Sequence, residues 1–287
     1  MPELPEVETV RRGLAPVLEG RRIDTVELRR ADLRFPLPDR FAERITGTII
    51  GPLGRRAKYL LLPLATGETL ILHLGMSGRV LIETGGGREQ PGEFHHEHGR
   101  LAAHDHVMFQ LSGGARVIYN DVRRFGFMRL APTNGLEADP FIAELGPEPL
   151  GNAFHSEHLL KVFEGRALPL KSALLDQKKV AGLGNIYVCE ALNRSGLSPY
   201  RAARSLKPKE ASRLVSEIRA VLEEAIAAGG STLRDFRHED GSLGYFQHNF
   251  RVYGREGEAC PTPGCGGAIE RQVQSGRSTF FCGTCQT

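Results

Sequence analysis

The sequence predicts an α+β protein, with an N-terminal β-sandwich flanked by helices and a C-terminal helical domain that carries a cysteine-bearing β-hairpin. Three observations support this fold class. Short β-type segments joined by tight turns fill residues 22–119, apolar residues recur at helical spacing after residue 151, and four of the five cysteines lie between residues 260 and 285. We expect domains at residues 1–133, 152–244 and 245–287, with a linker at 134–151.

Length and charge set broad limits on function. The 287 residues, 40% of them hydrophobic, are enough for two domains with substantial cores. The net charge of +3 permits nucleic-acid binding but does not by itself argue for it. The acidic N-terminus is unlike a signal peptide, and the most apolar run, residues 59–65, is too short for a bilayer. We therefore expect a soluble cytoplasmic protein.

The first element is an amphipathic helix. Val7, Val10, Leu14 and Val17 recur at steps of three and four residues, which places them on one helical face. Pro5 suits the first turn, and Glu6 and Glu8 complement the positive end of the helix dipole. An acidic helix start of this kind is common and needs no catalytic role.

The second residue allows a sharper interpretation. Removal of Met1 would leave Pro2 with a free secondary amine. An α-amine titrates near pH 8, roughly, against about 10.4 for lysine, so a larger fraction of it is unprotonated at neutral pH. Such an amine can attack an electrophilic carbon and form a Schiff base, and Glu3 could move the protons.

The β-type segments and their turns follow this helix. Turn residues at 51–54 and 66–68 separate the early segments, and the glycines at 85–87 open a flexible polar loop. The predicted strands are residues 22–28, 45–50, 59–63, 69–74, 78–83, 106–111 and 116–119.

The pattern becomes helical after a linker around a short helix at 131–151. The predicted helices are residues 156–163, 170–180, 186–193 and 209–228, with a short piece near Leu233. Lys171 or Ser172 begins the second of them, glycines at 181–184 stop it, and Asn185 is the predicted N-cap of the next. Backbone N–H groups at that helix start could form an anion site, with the Asn185 side chain beside it, but the pattern alone favours an ordinary helix hairpin with a glycine C-cap.

The cysteine spacing is the strongest metal signal in the chain. Two close pairs, with four residues between Cys260 and Cys265 and two between Cys282 and Cys285, supply four thiolates for one tetrahedral zinc ion. Two disulfides are the alternative, disfavoured without a secretory signal. The fifth cysteine, Cys189, lies in a helical pattern and is expected to be a buried small hydrophobe.

Glycine-rich segments after residue 245 predict two hairpins that carry these cysteines. Between the pairs, alternating residues turn at 274–277, which places Arg277 at or near a hairpin tip. We expect zinc, rather than core burial, to hold so small a hairpin. An arginine at such a tip suits a DNA groove or phosphate, but many zinc ribbons bind proteins instead.

A third set of polar and apolar residues lies in the β-rich half. It comprises Lys58, His73 and Met76 near strand ends, and Arg123 and Phe125 in a later loop. Met76 and Phe125 could equally be core residues. The histidines at 95–98 and at 104 and 106 suggest a second metal, but we interpret the first group as a solvated loop and the second as a strand entry.

Four motifs, in one order, resemble a known family. Residues 2–9, Pro-Glu-Leu-Pro-Glu-Val-Glu-Thr, resemble the N-terminus of the bacterial formamidopyrimidine-DNA glycosylases. Residues 174–187 resemble the helix–two-turn–helix signature that this family shares with endonuclease VIII. With the basic set and the cysteines, the resemblance runs from Pro2 to Cys285. It implies a bifunctional enzyme that excises oxidised purines, such as 8-oxoguanine and formamidopyrimidines, and cuts the strand.

The resemblance also implies residue roles. Pro2 would attack C1′ of the damaged nucleotide and lead to β- and δ-elimination, and Glu3 would act as general acid and base, with Glu6 a weaker candidate for supporting it. Lys58 and Arg277 would also belong to the catalytic residues, because they would bind phosphates next to the lesion. The DNA contacts would be His73, Met76, Arg123, Phe125, Lys171, Asn185 and Tyr253.

The same resemblance also implies how the flipped base is replaced and which metal and partner the protein binds. Met76, Arg123 and Phe125 would fill the space that a flipped base leaves, and residues 240–245 would form a mobile loop over the lesion. One zinc ion bound by Cys260, Cys265, Cys282 and Cys285 would be structural. The partner would be double-stranded damaged DNA, bound by a monomer without a small-molecule cofactor.

Two other functions stay open at this point. An endonuclease VIII-type enzyme for oxidised pyrimidines shares the two-turn and zinc motifs, although Leu4 and the set of Met76, Arg123 and Phe125 resemble the purine branch. A non-catalytic, zinc-dependent DNA-binding protein is the alternative from a different class.

Overall fold

A computed structural model describes residues 2–85, 87–91, 102–231 and 246–287. It divides into two compact units, Met1–Ala143 with Gly229–Gly244, and Glu144–Ala228 with Tyr245–Thr287. The domain boundaries expected from the sequence stay predictions. In the described part of the chain, no helix has the length and apolar character needed to cross a membrane.

Helix α1, Leu4–Leu18, opens the first unit, with Pro5 in its first turn as predicted. Glu3 is the N-cap, and its backbone N–H donates to Glu6 Oε2 at 2.8 Å. Val7, Val10 and Leu14 are buried in the core of this unit, whereas Val17 is only partly buried against it. The periodicity therefore predicted both the helix and its buried face.

The strands of the first unit form two antiparallel sheets. The first sheet contains β1 (Ile23–Leu28), β5 (Gly78–Thr84), β6 (Gly87–Glu89), β7 (Asp105–Leu111) and β8 (Arg116–Asp121), in the order β1-β7-β8-β5-β6. The second contains β2 (Gly54–Arg56), β3 (Tyr59–Pro63), β4 (Glu68–His73) and β9 (Phe127–Pro132), in the order β2-β3-β4-β9. Apolar side chains of both sheets share one core, so the β-sandwich prediction is confirmed.

The predicted strand at 45–50 is wrong. Residues Phe41–Ile45 form helix α2, in which Phe41 and Ile45 are both buried. This spacing of four residues places them on the same helical face. The residues that follow make isolated bridges only, Ile49 with Arg22 and Ile50 with Leu64. The β-branched residues of this segment therefore form no continuous β-ladder with the strands around them.

Three strands were not predicted. β2 begins at Gly54, inside the expected turn at 51–54, and β6 begins at Gly87, inside the expected polar loop. β9 overlaps the start of the expected linker at residue 131, and the short helix in that linker is a 3-10 turn, Leu136–Ala138. These segments are short or lack alternation, so pairing with neighbouring strands decides their conformation.

The second unit contains helices α3 (Ser156–Phe163), α4 (Leu170–Leu174), α5 (Asn185–Arg194) and α6 (Pro208–Ala227), which enclose one apolar core. The predicted range 170–180 for α4 has the correct start and the wrong end. The helix begins at Leu170, not at Lys171 or Ser172, and it stops at Leu174 rather than continuing to residue 180. The short helical piece predicted near Leu233 lies outside the described residues.

Strands β10 (Ile269–Gln274) and β11 (Arg277–Cys282) form the predicted hairpin. Ser275 and Gly276 both have positive φ, 51° and 72°, which matches the two-residue turn that fits strand twist. The first expected hairpin is reduced to a single bridge between Ala259 and Ala268. Core burial also contributes here, because Cys189, confirmed as buried, packs with Val252, Ile269, Phe280 and Cys282.

Candidate functional site

The N-terminal residues lie on a firmly held helix start. Pro2 is buried, and Glu3 is 4% exposed immediately before α1. Glu6 fixes this start from two directions, because Oε2 accepts the Glu3 N–H while Oε1 accepts the Ser231 backbone N–H at 2.9 Å and its hydroxyl at 2.8 Å. The arrangement places Pro2, whose nitrogen would become a secondary amine on removal of Met1, next to the Glu3 side chain at the helix start. Met1 lies outside the described residues.

A buried ion-pair network anchors the same helix to the sheet. Glu8 accepts hydrogen bonds from Arg11 and Arg12, and Arg55 of β2 reaches it at 3.2 Å. Burial opposes ionisation of Glu8, but the hydrogen bonds from Arg11 and Arg12 and the charges of Arg11 and Arg55 outweigh it and lower its pKa to about 2. Glu8 is therefore a structural anion at every physiological pH.

Lys58 and His73 are close enough to influence each other electrostatically. Lys58 is 7% exposed and lies in the two-residue turn between β2 and β3, after Ala57 with a positive φ of 52°. His73 ends β4. Burial, together with the positive charges of Lys58 and Arg34, lowers the pKa of His73 to about 4. His73 is therefore neutral at pH 7, and its Nδ1 accepts the Gly75 N–H at 3.2 Å.

The three residues expected to act as a wedge lie on two adjoining loops. Met76 is 41% exposed and Phe125 is 40% exposed, so neither belongs to the core. The Arg123 guanidinium lies 4.5 Å from the centre of the Phe125 ring. A Cβ added at Gly75 would approach the backbone N of Gly126 to 2.4 Å. The loops touch through backbone, and only glycine fits there.

Asp121 holds these loops together, and we did not identify it from the sequence. Its buried carboxylate accepts hydrogen bonds from the hydroxyls of Ser77 and Tyr119 and from the backbone N–H groups of Arg123 and Gly126. The available signal was local, since an aspartate at a strand end often accepts from backbone two residues on. Its contact with Tyr119 is also local, within β8, whereas its contact with Ser77 depends on the pairing of β5 with β8.

The histidine clusters supply no second metal site among the described residues. His106 is buried and its Nε2 bonds to the Asp121 carbonyl at 2.8 Å, as suits a residue of the strand β7. The ring of His104 lies 6.4 Å away from that of His106. The loop at 95–98 and the expected lesion loop at 240–245 fall outside the described residues.

In the second unit, a side-chain brace shapes the turn between α4 and α5. Gln177 Nε2 donates to the carbonyls of Leu175 and Leu183, and Gln177 Oε1 accepts the Gly182 N–H at 2.9 Å. These bonds replace the helical ones that a continued α4 would have made. They explain why α4 stops early, and Gln177 was not identified from the sequence.

The prediction that Asn185 is an N-cap is wrong, because Gly184 occupies that position and Asn185 is the first helical residue. The Asn185 Nδ2 instead donates to the Ser278 carbonyl at 2.8 Å and to the Tyr253 hydroxyl at 3.3 Å. Its Oδ1 is buried and has no hydrogen-bond partner among the described residues. Asn185 therefore links the start of α5 to the hairpin.

Lys171 shares that carbonyl. It is 1% exposed, and its Nζ donates to Ser278 O at 3.2 Å and to Thr279 Oγ1 at 2.7 Å. These bonds tie Lys171 to the start of β11, beside Arg277. The direct contact of Lys171 with DNA stays a prediction.

Glu190 of α5 orients Tyr253 and was also not predicted. It is fully buried, and its carboxylate accepts the backbone N–H groups of Arg251, Val252 and Tyr253 at 2.8–3.0 Å. The Tyr253 ring packs on Phe280 with centroids 4.8 Å apart. Arg277 is exposed beside the hairpin turn, and among the described residues it makes no ion pair.

The four cysteines fit zinc. Their sulfur atoms all lie within 4.8 Å of one another, with Cys260–Cys285 at 3.7 Å and Cys265–Cys282 at 3.5 Å. Zinc–sulfur bonds of about 2.3 Å in a tetrahedron require sulfur atoms roughly 3.8 Å apart, whereas a disulfide needs about 2.05 Å. The cysteines hold one structural zinc ion, and four thiolates leave no open position for a reactant.

Three family descriptions match the chain in order. Residues 1–128 match the formamidopyrimidine-DNA glycosylase N-terminal domain, residues 145–237 the H2TH domain of the same glycosylase, and residues 257–287 a zinc finger found in FPG and IleRS. Together they account for most of the sequence.

Individual proteins match over the full length. The formamidopyrimidine-DNA glycosylase of Rhizobium etli is 60% identical, with 100% of both chains covered. The MutM (FPG) protein of Thermus thermophilus is 41% identical with a TM-score of 0.83, over 99% of this chain and 98% of that one. A Lactococcus lactis FPG mutant in complex with Fapy-dG-containing DNA is 32% identical with a TM-score of 0.86, with both chains covered completely.

Proposed function

The chain belongs to the formamidopyrimidine-DNA glycosylase family and is a DNA repair glycosylase, and on this premise we propose that it excises oxidised purines and cuts the strand. The expected substrates are 8-oxoguanine and formamidopyrimidines in double-stranded DNA. The observation that carries the proposal is the held N-terminus, in which Pro2 and Glu3 are buried at the start of α1. The Lactococcus lactis relative bound to Fapy-dG-containing DNA supports the substrate class.

The proposed chemistry begins once Met1 is removed. The Pro2 nitrogen attacks C1′ of the damaged nucleotide, and the glycosidic bond breaks with its electron pair going to the departing base. Glu3 takes the proton that the Pro2 nitrogen loses and delivers it to the sugar oxygen as the ring opens. The iminium between Pro2 and C1′ then acidifies the neighbouring C2′ proton. Loss of the 3′ and then the 5′ phosphate by β- and δ-elimination cuts the strand.

The remaining residues bind and shape the DNA in this proposal. Lys58, Asn185 and Arg277 bind phosphates around the lesion, with His73 and Tyr253 as further contacts. Met76, Arg123 and Phe125 occupy the space of the flipped nucleotide, for which exposed apolar side chains and a nearby guanidinium are suited. Lys171 contributes through β11, because its ammonium is buried against Ser278 and Thr279.

The zinc ion fixes the hairpin that carries Arg277 and takes no part in a chemical step. We further propose that the protein acts as a monomer in the bacterial cytoplasm without a small-molecule cofactor, in keeping with the bacterial sources of its relatives.

Borohydride trapping tests the proposal. We expect a covalent protein–DNA adduct with an 8-oxoguanine duplex and little with a thymine glycol duplex. Preferential trapping on thymine glycol would favour an endonuclease VIII-type enzyme. Tight DNA binding without any adduct would favour a non-catalytic DNA-binding protein.

A further inference from the structure

A cavity of about 670 Å³ lies beside the wedge residues and has no role in the chemistry above. Its walls come from three separate segments, residues 32–34 after β1, residues 73–76 at the end of β4, and residues 123–125 in the loop between β8 and β9. The lining side chains that matter are Asp32, Arg34, Met76, Arg123, Arg124 and Phe125. The volume is sufficient for a phosphate with part of its sugar.

The backbone makes this cavity a fixed feature rather than a chance gap. The Arg34 N–H donates to the Gly126 carbonyl at 3.0 Å, which ties the 32–34 segment to the wedge loop. Arg124 has a positive φ of 53°, a conformation that costs a non-glycine residue about 1 kcal/mol or more. Arg124 Nη1 lies 3.6 Å from Asp32 Oδ2, and both residues line the cavity.

The charges in the cavity do not balance. Asp32 is the carboxylate among the lining residues, and it already pairs with Arg30 at 3.0 Å. Arg34 and Arg123 make no ion pair among the described residues, and Arg124 has only its long contact to Asp32. His73, also in the wall, is neutral at pH 7 with a pKa of about 4, because burial and the charges of Lys58 and Arg34 oppose its protonation. Three guanidiniums therefore face a space with little compensating negative charge.

We propose that this cavity, the Arg34 cavity, binds a phosphodiester group of the undamaged DNA strand through Arg34 and Arg124. The inference rests on the proposed function, because it takes Arg123 and Phe125 as facing the orphaned partner base. Arg124 is the residue between them, so the same loop presents it toward the strand that carries that base. A planar guanidinium can bind two phosphate oxygens at once. The cavity contains two guanidiniums, those of Arg34 and Arg124, that have no part in the wedge.

Asp32 has a definite part in this proposal. It holds Arg124 near the cavity mouth in the free protein and competes with an incoming phosphate for that guanidinium. Loss of its charge should therefore strengthen phosphate binding, whereas loss of either arginine should weaken it. The opposite signs distinguish a binding site from a merely structural ion pair.

The experiment places a single uncharged methylphosphonate at successive positions of the undamaged strand, in a duplex with a tetrahydrofuran abasic analogue. For the wild-type protein we expect one or two positions near the orphaned base at which affinity falls roughly tenfold. Arg34→Ala and Arg124→Ala should bind the unmodified duplex roughly tenfold more weakly and show no further loss at those positions. Asp32→Asn should bind the unmodified duplex a few-fold more tightly, and Arg34→Lys should recover part of the affinity.

Arg22→Ala is the matched control, since Arg22 is an exposed arginine paired with Asp24 outside the cavity. It should keep the wild-type methylphosphonate profile. A flat wild-type profile on the undamaged strand would overturn the inference, and so would sensitive positions on the damaged strand only. Arginine variants whose loss of affinity adds to the loss caused by the methylphosphonate would also overturn it. Trapping on an 8-oxoguanine duplex at saturating protein separates the two proposals. Normal trapping with a flat profile refutes the Arg34 cavity alone, whereas absent trapping refutes the enzymatic proposal.

Discussion

The carboxylate of Asp121 accepts the backbone N–H of Gly126 at 2.9 Å, which closes the loop carrying Arg123 and Phe125 onto the end of β8. The same carboxylate accepts the Ser77 hydroxyl and so reaches the residue after Met76. One buried carboxylate therefore holds both of the loops that carry Met76, Arg123 and Phe125.

Replacing this anion should impair the wedge. In Asp121→Asn, an amide NH₂ replaces one carboxylate oxygen and faces the donors whose hydrogen bonds that oxygen accepted. We therefore expect a loss of about 2 kcal/mol in the free energy of unfolding. We also expect slower base excision, because Met76 and Phe125 lose their common support. Chemical denaturation and single-turnover excision would measure the two effects. Phe125→Ala is a useful comparison, since it should slow excision with a much smaller loss of stability, and equal behaviour of both variants would contradict the positioning role of Asp121.

The zinc site provides the second prediction. Cys282→Ser should release the metal and abolish DNA binding while the first unit stays folded, because the remaining cluster around Ile269 and Phe280 is small. Metal content, DNA affinity and thermal unfolding would be measured on the same preparation. Cys189→Ser is the control, as Cys189 is buried but lies outside the metal set, and it should retain zinc. Normal lesion binding by metal-free Cys282→Ser would refute the zinc-ribbon interpretation.

Arg277 is expected to contact one phosphate. Arg277→Ala should weaken DNA binding at low salt and reduce the slope of log affinity against log salt by roughly one unit. Affinity measured between about 50 and 200 mM salt would provide this slope. Arg271→Ala, on the neighbouring strand, removes an exposed arginine that already pairs with Glu256 and should change the slope less. An unchanged slope for Arg277→Ala would make it a bystander on the surface.

Glu8 predicts an acid-dependent loss of stability. Its folded pKa of about 2 lies below the roughly 4.3 expected when unfolded. The unfolded chain therefore binds the proton first, and the contribution of Glu8 is complete above about pH 4.3 and declines as pH falls toward 2. After discounting for solvent screening, it is about 1–2 kcal/mol. Glu8→Gln should lower stability at pH 7 and flatten its dependence between about pH 4.3 and 2 in denaturation curves. If Glu8→Gln keeps the wild-type dependence of stability on pH, the loss of stability in acid is caused by other carboxyl groups.

The nucleophile assignment makes a prediction about Met1. Protein that keeps Met1 has the Pro2 nitrogen locked in an amide, without a basic lone pair, so it should form no Schiff base. Processed protein should be trapped by borohydride on an 8-oxoguanine duplex, with intact mass confirming the N-terminus. Pro2→Gly should keep some activity, because it retains an α-amine with a pKa of roughly 8.

Glu3→Gln separates chemistry from binding in the same assay. The amide cannot exchange the required proton, so DNA affinity should stay close to wild type while base excision slows. Efficient trapping with Met1 still attached would refute the assignment of Pro2 and indicate a lysine, with Lys58 the first to examine.

Several features were readable from the sequence because they depend on a few neighbouring residues. The buried face of α1 follows from apolar spacing, and the turn at Ser275-Gly276 follows from residues that tolerate positive φ. The zinc site is similar, since each close cysteine pair brings its two ligands together before any long-range contact forms. Prediction failed where local pattern was weak, as in α2 and β9, which are stabilised by the elements that surround them.

Tertiary structure alone decided which polar residues are buried and which hydrogen-bond partners they have. Lys171 and Lys58 are ordinary lysines in sequence, yet the fold buries both, and His73 is neutral because burial and distant cations lower its pKa. The role of Glu190 became visible only once a separate segment had placed backbone N–H groups around its carboxylate, and that of Asp121 only once the fold had brought the Ser77 hydroxyl to it. Helix periodicity and metal spacing are local and repeat along the chain, so sequence determines them. Hydrogen-bond partners, desolvation and cavity walls join residues far apart in the chain, and only folding brings these together.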